Sequence, residues 1–268
     1  MPLEPSAAEL LTAVQASPRA VAVHDKSAWV DLFTADAEVN DPVGARPHVG
    51  RTAIEAFYDT FIGPNGIVFR VERDIVAPPI VVRDLTIETT MSTGARVSVP
   101  MHLRYQLTEQ NGDWKIAHLA AHWELGPMIV QLLRTGPSGL GAALRLGPQL
   151  ISNQGFDGAL GMLRALGGIG RTGRRVTSRL FAAAGSTDIV RVRGLLGHYA
   201  VVELPAGTPV SVEEFTNRAR NMRWGKLIAA GRTVTASVRF GDTRGVAFVE
   251  FAEGSPNIST LRFFLDSA

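Results

Sequence analysis

An internal repeat limits the folds open to this chain of 268 residues. The stretch DKSAWVDLFTADAEVNDPVG starts at Asp25, and DIVRVRGLLGHYAVVELPAG starts at Asp188. They align without a gap, and the residues identical in both are Asp25/Asp188, Leu32/Leu195, Ala37/Ala200, Val39/Val202, Pro42/Pro205 and Gly44/Gly207. One ungapped match can also arise by chance between two α+β domains. We favour duplication, because the later elements also follow in the same order.

The first half of the chain carries helical patterns followed by strand patterns. Apolar residues recur with helical spacing over 6–16, 26–34 and 52–62, and Asp25 is placed to cap the second of these helices. After Pro78 the pattern changes to strands, in IVVRDLTIETTMS, GARVSVPMHLRYQL and WKIAHLAAHW. The Asn-Gly pair of EQNGDW indicates a hairpin before the last of them.

The strand pattern around residue 100 alternates strictly, so its two faces can be separated. One face carries Val97, Val99, Met101, Leu103 and Tyr105, and the other carries Ser98, Pro100, His102, Arg104 and Gln106. Helices that precede a curved antiparallel sheet with one apolar face predict an α+β domain with an interior pocket.

The second half repeats this order of elements. SVEEFTNRARN predicts a helix, and TVTASVRF, GVAFVEFA and ISTLRFFLD predict strands. We therefore predict two domains, residues 1–130 and 131–268, joined near residues 126–140 and packed sheet against sheet. Pairing of the two domains within one chain leaves room for a further homodimer.

Composition and charge exclude several classes of protein. The net charge of +2 does not indicate a nucleic-acid-binding protein, and the absence of cysteine excludes disulfides and thiolate metal sites. The first ten residues lack the basic and apolar regions of a signal peptide, and no stretch has the ~18 apolar residues of a membrane span. The predicted location is the cytoplasm, and the predicted partner is a small hydrophobic ligand.

Two stretches of the first half resemble a known family. HDKSAWVDLFTADAEVNDPVGARPHVGRTAIEAFYDTF and GDWKIAHLAAHWE are similar to the first half and the last strand of ketosteroid isomerases, within the SnoaL-like, NTF2-like superfamily. The resemblance covers about residues 10–125. It implies a cone-shaped, cystatin-like domain in which helices and a curved sheet enclose a ligand cavity.

The resemblance also implies roles for individual residues. Asp41 falls at the position of the catalytic base, which removes a proton next to a carbonyl group. The family's two donors to the enolate oxygen are missing, because Ser17 and Met101 stand in their places. Tyr58 matches a supporting tyrosine, so we expect it to donate directly. The expected substrate-binding wall consists of Phe61, Met91, Val99, Met101, Leu119 and Trp123.

Two interpretations of Asp41 remain open at this point. It is either the base of an isomerase-like or cyclase-like enzyme, or a turn residue before Pro42 in a protein that carries a hydrophobic ligand without chemistry. The second half has Leu204 where the first has Asp41, and Leu265 where the first has Trp123. We therefore expect the second copy to lack an active site.

Other motifs favour neither a metal nor a cofactor. His102, Arg104, His118 and His122 share the polar side of their strands, where we expect contact with the second sheet or with solvent rather than metal binding. GIGRTG fits a dinucleotide-binding motif but does not follow a predicted strand. The segment between the two copies carries five arginines: Arg164, Arg171, Arg174, Arg175 and Arg179. They either form a solvated basic face, or they contact a membrane surface or another anionic group.

Overall fold

The structure, a computed structural model, describes residues 6–136 and 167–266. These residues belong to two units, one within Met1–Leu166 and the other within Gly167–Ala268. Each unit combines helices with its own sheet, as the α+β prediction requires. The predicted border at residue 130 lies inside a helix that packs on the first unit, and the rest of the junction lies outside the described residues.

The first unit begins with helices and ends with long strands. Its helices are α1 (Ala7–Ala22), α2 (Lys26–Val30), α3 (Arg51–Phe57) and α4 (Leu125–Arg134), and α3 continues as a π-helical turn, Tyr58–Ile62. Its strands are β1 (Phe33–Asn40), β2 (His48–Val49), β3 (Gly66–Ala77), β4 (Ile80–Thr90), β5 (Arg96–Gln110) and β6 (Asp113–His122).

Two of the predicted helices differ from the observed ones. Helix α1 continues past Pro18 to Ala22, because buried apolar residues on both sides of the proline, Val14 and Val21, hold it against the sheet. The second predicted helix, 26–34, ends at Val30, and Phe33 already belongs to β1. Asp25 caps α2 as predicted, since its carboxylate accepts a hydrogen bond from the backbone N–H of Ala28.

The sheet of the first unit has the order β2-β1-β6-β5-β4-β3. All neighbouring strands are antiparallel except β1 and β6, which run parallel, with Val39 opposite Leu119. The predicted alternation of β5 is confirmed, because the five residues of its apolar face, from Val97 to Tyr105, are all buried in the core. Helices α1 and α3 cover this face, so the core lies between them and the curved sheet.

The second unit repeats this topology with helices α5 (Gly170–Gly185), α6 (Ile189–Leu195) and α7 (Val212–Arg218). Its strands are β7 (Leu196–Glu203), β8 (Arg223–Ala230), β9 (Thr233–Phe240), β10 (Thr243–Phe251) and β11 (Ile258–Leu265). The order β7-β11-β10-β9-β8 equals that of the first sheet without β2, and β7 again runs parallel to β11. The sequence analysis did not predict β8.

Local details of the repeat also agree between the units. Asp188 caps α6 through the N–H of Arg191, as Asp25 caps α2. Gly44 and Gly207 both have a positive φ, of 97° and 84°, a conformation that glycine adopts without a steric penalty. The shared topology is thus shown, whereas the duplication that would explain it stays a prediction.

Among the described residues, no helix combines the length and the apolar character needed to cross a membrane.

Candidate active site

The apolar face of the first sheet encloses a cavity together with the helices. The volume that the centre of a water molecule can reach inside it is about 170 Å³. One bound water needs roughly 10–15 Å³ of such volume, so the cavity has room for a ligand of about a dozen non-hydrogen atoms. A larger ligand has to extend through the opening or displace side chains of the wall.

The wall of the cavity is almost entirely apolar. All six residues of the predicted substrate-binding wall line it: Phe61, Met91, Val99, Met101, Leu119 and Trp123. The rest of the apolar wall consists of Val21, Trp29, Phe57, Ile62, Ile67, Phe69, Ile87, Val97, Leu103 and Met128. The polar side chains on it are Ser17, Asp41, Asn65, Thr89 and Tyr105.

Asp41 is the ionisable acid of this wall. It follows the last residue of β1, and the indole Nε1 of Trp123 donates a hydrogen bond to its Oδ1 at 2.5 Å. The side chain is partly accessible because it faces the cavity, yet protein surrounds it. This burial raises the pKa of Asp41 to about 6, although the Trp123 hydrogen bond acts in the opposite direction. A carboxylate with such a pKa is a stronger base than an aspartate in water.

Tyr105 of β5 also lines this cavity. Its side chain is buried at 1% exposure, and burial raises its pKa to about 12, while the charge of Arg83 and a hydrogen bond with Ser17 lower it. The Ser17 hydroxyl in turn accepts a hydrogen bond from Nε1 of Trp29 at 3.0 Å. All three groups line the cavity, and Tyr105 remains a neutral donor at physiological pH.

The expected donor, Tyr58, does not line the cavity. Its ring packs against Trp29, with the ring centres 5.5 Å apart, and its buried hydroxyl has no hydrogen-bond partner among the described residues. Burial raises the pKa of Tyr58, and the charges of Asp25 and Asp59 add to this. The alternation of β5 assigned Tyr105 to the apolar face, and the structure places Tyr105 in the cavity wall, but the sequence analysis gave it no role as a donor.

The polar face of β5 and β6 carries buried histidines. His102 lies opposite His122 in the sheet, and its Nε2 is 3.4 Å from the Asp84 carboxylate. Burial lowers the pKa of His122 to about 3, and the charge of His102 adds to this. His118 contacts Asn40 on the same face. No group of three metal-ligating side chains occurs within residues 6–136 and 167–266.

The arginines of the segment between the copies are placed in part. Arg171, Arg175 and Arg179 are exposed on α5, and Arg174 is half-buried there. Arg164 lies outside the described residues. The GIGRTG motif leads into α5 and follows no strand among the residues described.

The second unit replaces the polar groups of the cavity by aliphatic side chains. The strand register makes Val249 the equivalent of Tyr105. Tyr105 lies opposite Leu119, which pairs with the middle of β1. Val249 lies opposite Leu261, which pairs with β7 in the same way. In the same way Leu204 replaces Asp41, and this leucine is buried at 1% exposure in the second core. The remaining replacements, from the ungapped repeat and the register, are Leu180 for Ser17, Val192 for Trp29 and Leu265 for Trp123.

Comparison with known structures gives similar domains of about half the chain. A Δ5-3-ketosteroid isomerase from a Mycobacterium species is 28% identical over 44% of this chain and 95% of its own, with a TM-score of 0.41. A Mycobacterium tuberculosis protein in complex with estradiol-17β-hemisuccinate is 25% identical over 44% and 95%, with a TM-score of 0.41. An LEH-like epoxide hydrolase of the same organism is 19% identical over 52% and 98%, with a TM-score of 0.42.

Comparison with protein families points to the unit that holds the cavity. No curated protein matches the chain significantly. The family model described as the SnoaL-like domain matches residues 14–118, a range that contains Ser17, Asp41 and Tyr105. Residues 14–118 of this chain are therefore similar to the SnoaL-like domain family.

Proposed function

We propose that the first unit is a ketosteroid isomerase-like enzyme acting on a hydrophobic carbonyl compound of the steroid or polyketide type. Asp41 removes a proton from the carbon next to the carbonyl group. Tyr105 donates a hydrogen bond to the carbonyl oxygen as it becomes an enolate. The second unit serves as a structural partner without an active site.

The proposal rests mainly on the position of Asp41 in an apolar cavity. A buried carboxylate whose direct side-chain partner is a single indole N–H is poorly solvated when ionised. The fold does not require this carboxylate, since the second unit has a leucine at the same position. A turn-forming role alone does not explain why the first unit keeps a destabilising charge beside a ligand-sized space.

Tyr105 takes the donor role that the sequence suggested for Tyr58. Tyr105 lines the cavity, and because Ser17 supplies a hydrogen bond to its oxygen, its own O–H can be donated to a ligand. A hydrogen bond to a developing oxyanion is strongest in a site that excludes water, and the surrounding wall provides such a site.

The reaction needs no oxidant, reductant or second substrate. Asp41 accepts a proton from the carbon between the carbonyl group and a carbon–carbon double bond, and the electron pair moves onto the carbonyl oxygen. The protonated Asp41 then returns the proton to the far carbon of the double bond. The double bond thereby moves into conjugation with the carbonyl group.

The cavity sets an expectation for the ligand. An enclosed volume for about a dozen non-hydrogen atoms suits a mono- or bicyclic ketone better than a complete steroid. Three flexible methionines in the wall, Met91, Met101 and Met128, allow it to adapt to a longer ligand.

The test compares the wild type with Asp41→Asn on a 3-oxo-Δ5-steroid and on a bicyclic β,γ-unsaturated ketone. Conjugation of the double bond is followed by ultraviolet absorbance, and binding is measured in parallel by calorimetry. We expect turnover by the wild type, faster on the smaller ketone, and none by Asp41→Asn. Binding in both proteins with turnover in neither would instead support the alternative function, a carrier of hydrophobic ligands.

A further inference from the structure

A buried ion pair lies on the cavity side of the first sheet, outside the catalytic groups already described. Arg83 of β4 is 3% exposed, and its Nε and Nη2 donate hydrogen bonds to the two carboxylate oxygens of Asp74 in β3, at 2.7 Å and 3.2 Å. The two residues lie directly opposite each other in the sheet. The third nitrogen, Nη1, is buried and has no hydrogen-bond partner among the described residues.

This ion pair lies next to Tyr105. Val81 lies opposite Tyr105 in the β4–β5 register, and Arg83 follows two residues later on the same face. Residues in such diagonal positions are within reach of each other when their side chains are long or aromatic. Tyr105 lines the cavity, whereas Arg83 is not among the residues of its wall.

The fold itself does not require a charged pair at this place. Ala236 occupies the position of Arg83 in the second unit, because it lies opposite Ala247 as Arg83 lies opposite Leu103. Burial of two charges costs several kcal/mol of solvation that their attraction only partly restores. Their presence in the unit that holds the cavity therefore indicates a role in the site.

We propose that Arg83, held by Asp74, is a positioning residue for Tyr105: it fixes the hydroxyl at the cavity and stabilises negative charge that Tyr105 shares with a bound oxyanion. This inference rests on the proposed function, in which Tyr105 is the donor. Asp74 uses two of the three guanidinium nitrogens and thereby fixes the plane of the group. The remaining N–H and the positive charge then face the tyrosine side.

The physical effect is an increase in the strength of one hydrogen bond. When Tyr105 donates to an oxyanion, negative charge shifts toward its own oxygen, and a cation behind it favours that shift. Arg83 lowers the pKa of Tyr105 first through its charge and also through a hydrogen bond, and Ser17 lowers it through a neutral hydrogen bond. Hydrogen bonds that involve a charged group contribute roughly 1.5–3 kcal/mol, which corresponds to about 10–100-fold in affinity.

The test uses 4-nitrophenolate as an oxyanion probe and nitrobenzene as a probe of similar shape without the oxygen. All variants carry Asp41→Asn, which provides a neutral side chain like that of Asp41 after it has accepted the proton. Arg83→Met is combined with Asp74→Asn, so that no buried charge is left without its partner. Arg70→Met/Glu88→Gln removes an exposed ion pair, at 3.2 Å, from the same two strands and is the matched control.

We expect the double variant at Arg83 and Asp74 to weaken binding of 4-nitrophenolate at least tenfold while binding of nitrobenzene stays within twofold. Arg83→Lys, with Asp74 intact, should restore part of the difference because it restores the charge. The control pair should change neither affinity. An unchanged ratio of the two affinities in the double variant would overturn the inference, and thermal unfolding verifies that each variant is folded.

Tyr105→Phe, measured in the same way, separates this inference from the proposed function. A reduced affinity ratio in Tyr105→Phe with an unchanged ratio in the Arg83/Asp74 variant would refute the positioning role alone. An unchanged ratio in Tyr105→Phe would refute the donor role of Tyr105 and, with it, both proposals.

Discussion

Asp41 and Leu204 occupy equivalent positions, each one residue beyond the strand that runs parallel to the last strand of its sheet. The same backbone geometry thus presents a carboxylate to a cavity in one unit and an aliphatic side chain to a filled core in the other. The two positions therefore allow the effect of the carboxylate on activity, and the loss of stability caused by its burial, to be compared within one chain.

The activity of the first unit should depend on the ionisation of Asp41. Because burial raises the pKa of Asp41 to about 6, the base is protonated and inactive in more acidic solution. We expect kcat/KM for a β,γ-unsaturated ketone to rise about tenfold per pH unit below this pKa and to reach a plateau above it. Initial rates between pH 5 and pH 8 measure this profile, and a flat profile would exclude Asp41 as the base.

The same pKa shift predicts how Asp41 affects stability. Below pH 3.8 the side chain is protonated in the folded and the unfolded chain alike, and its destabilising effect is absent. Between pH 3.8 and about 6 the Asp41 carboxyl is ionised in the unfolded chain but still protonated in the folded chain, so the folded state loses stability as the pH rises. Above this window the loss amounts to about 3 kcal/mol.

Asp41→Asn should therefore be more stable than the wild type by about 2–3 kcal/mol at pH 7 and equally stable near pH 4. Urea unfolding at both pH values measures the difference in stability between Asp41→Asn and the wild type. The pH dependence of other groups, such as His122, cancels in this difference because both proteins contain them. Asp113→Asn, which changes an exposed aspartate at the start of β6, is the control and should stay within about 0.5 kcal/mol of the wild type at both pH values. Equal stability of Asp41→Asn and the wild type at pH 7 would contradict the raised pKa.

The two tyrosines of the first unit's core form a matched pair for locating the donor. Tyr105→Phe should lower kcat by about 10²–10³-fold, because it removes a donor to the enolate oxygen. Tyr58→Phe removes a hydroxyl that has no hydrogen-bond partner among the described residues and should change kcat less than about threefold. The opposite ranking would return the donor role to Tyr58, as the sequence resemblance suggested.

Leu204→Asp should destabilise the second unit strongly. It places a carboxylate at a position that is 1% exposed, where Leu265 stands in place of the indole donor of the first unit. We expect a loss of about 3–5 kcal/mol at pH 8 and a smaller loss at pH 5, where protonation relieves the burial of charge. Leu204→Asn provides the uncharged control in the same urea titrations. A loss that does not depend on pH would indicate a purely steric cause.

The fold of the first unit was largely predictable because its strands show clear periodicity. The alternation of β5 separated the cavity face from the polar face, and the family resemblance assigned six wall residues that all line the cavity. Helix ends were less predictable. Pro18 lies inside α1, and tertiary packing, which no local pattern reports, keeps that helix continuous.

The sequence pointed to a polar residue of the site only where a single position was enough to identify it. Asp41 stood out through the family resemblance, whereas the alternation of β5 assigned Tyr105 to the apolar face without marking it as a donor. The pairing of Arg83 with Asp74 depends on the register of β3 and β4, which the two sequences alone leave open. The donor role of Tyr58 came from the family resemblance alone, and the sequence could not show that Tyr58 lies outside the cavity wall.

Helix α4 has a consequence for the behaviour of the protein in solution. Strand β6 ends opposite His102, so the first residues of β5 have no strand neighbour on that side among the residues described. There the side-chain amide of Gln131 accepts a hydrogen bond from the backbone N–H of Ser98 at 2.5 Å and donates one to its carbonyl oxygen at 3.1 Å. One glutamine thus occupies two backbone groups, those of Ser98, through which this edge of β5 could pair with a strand from another molecule.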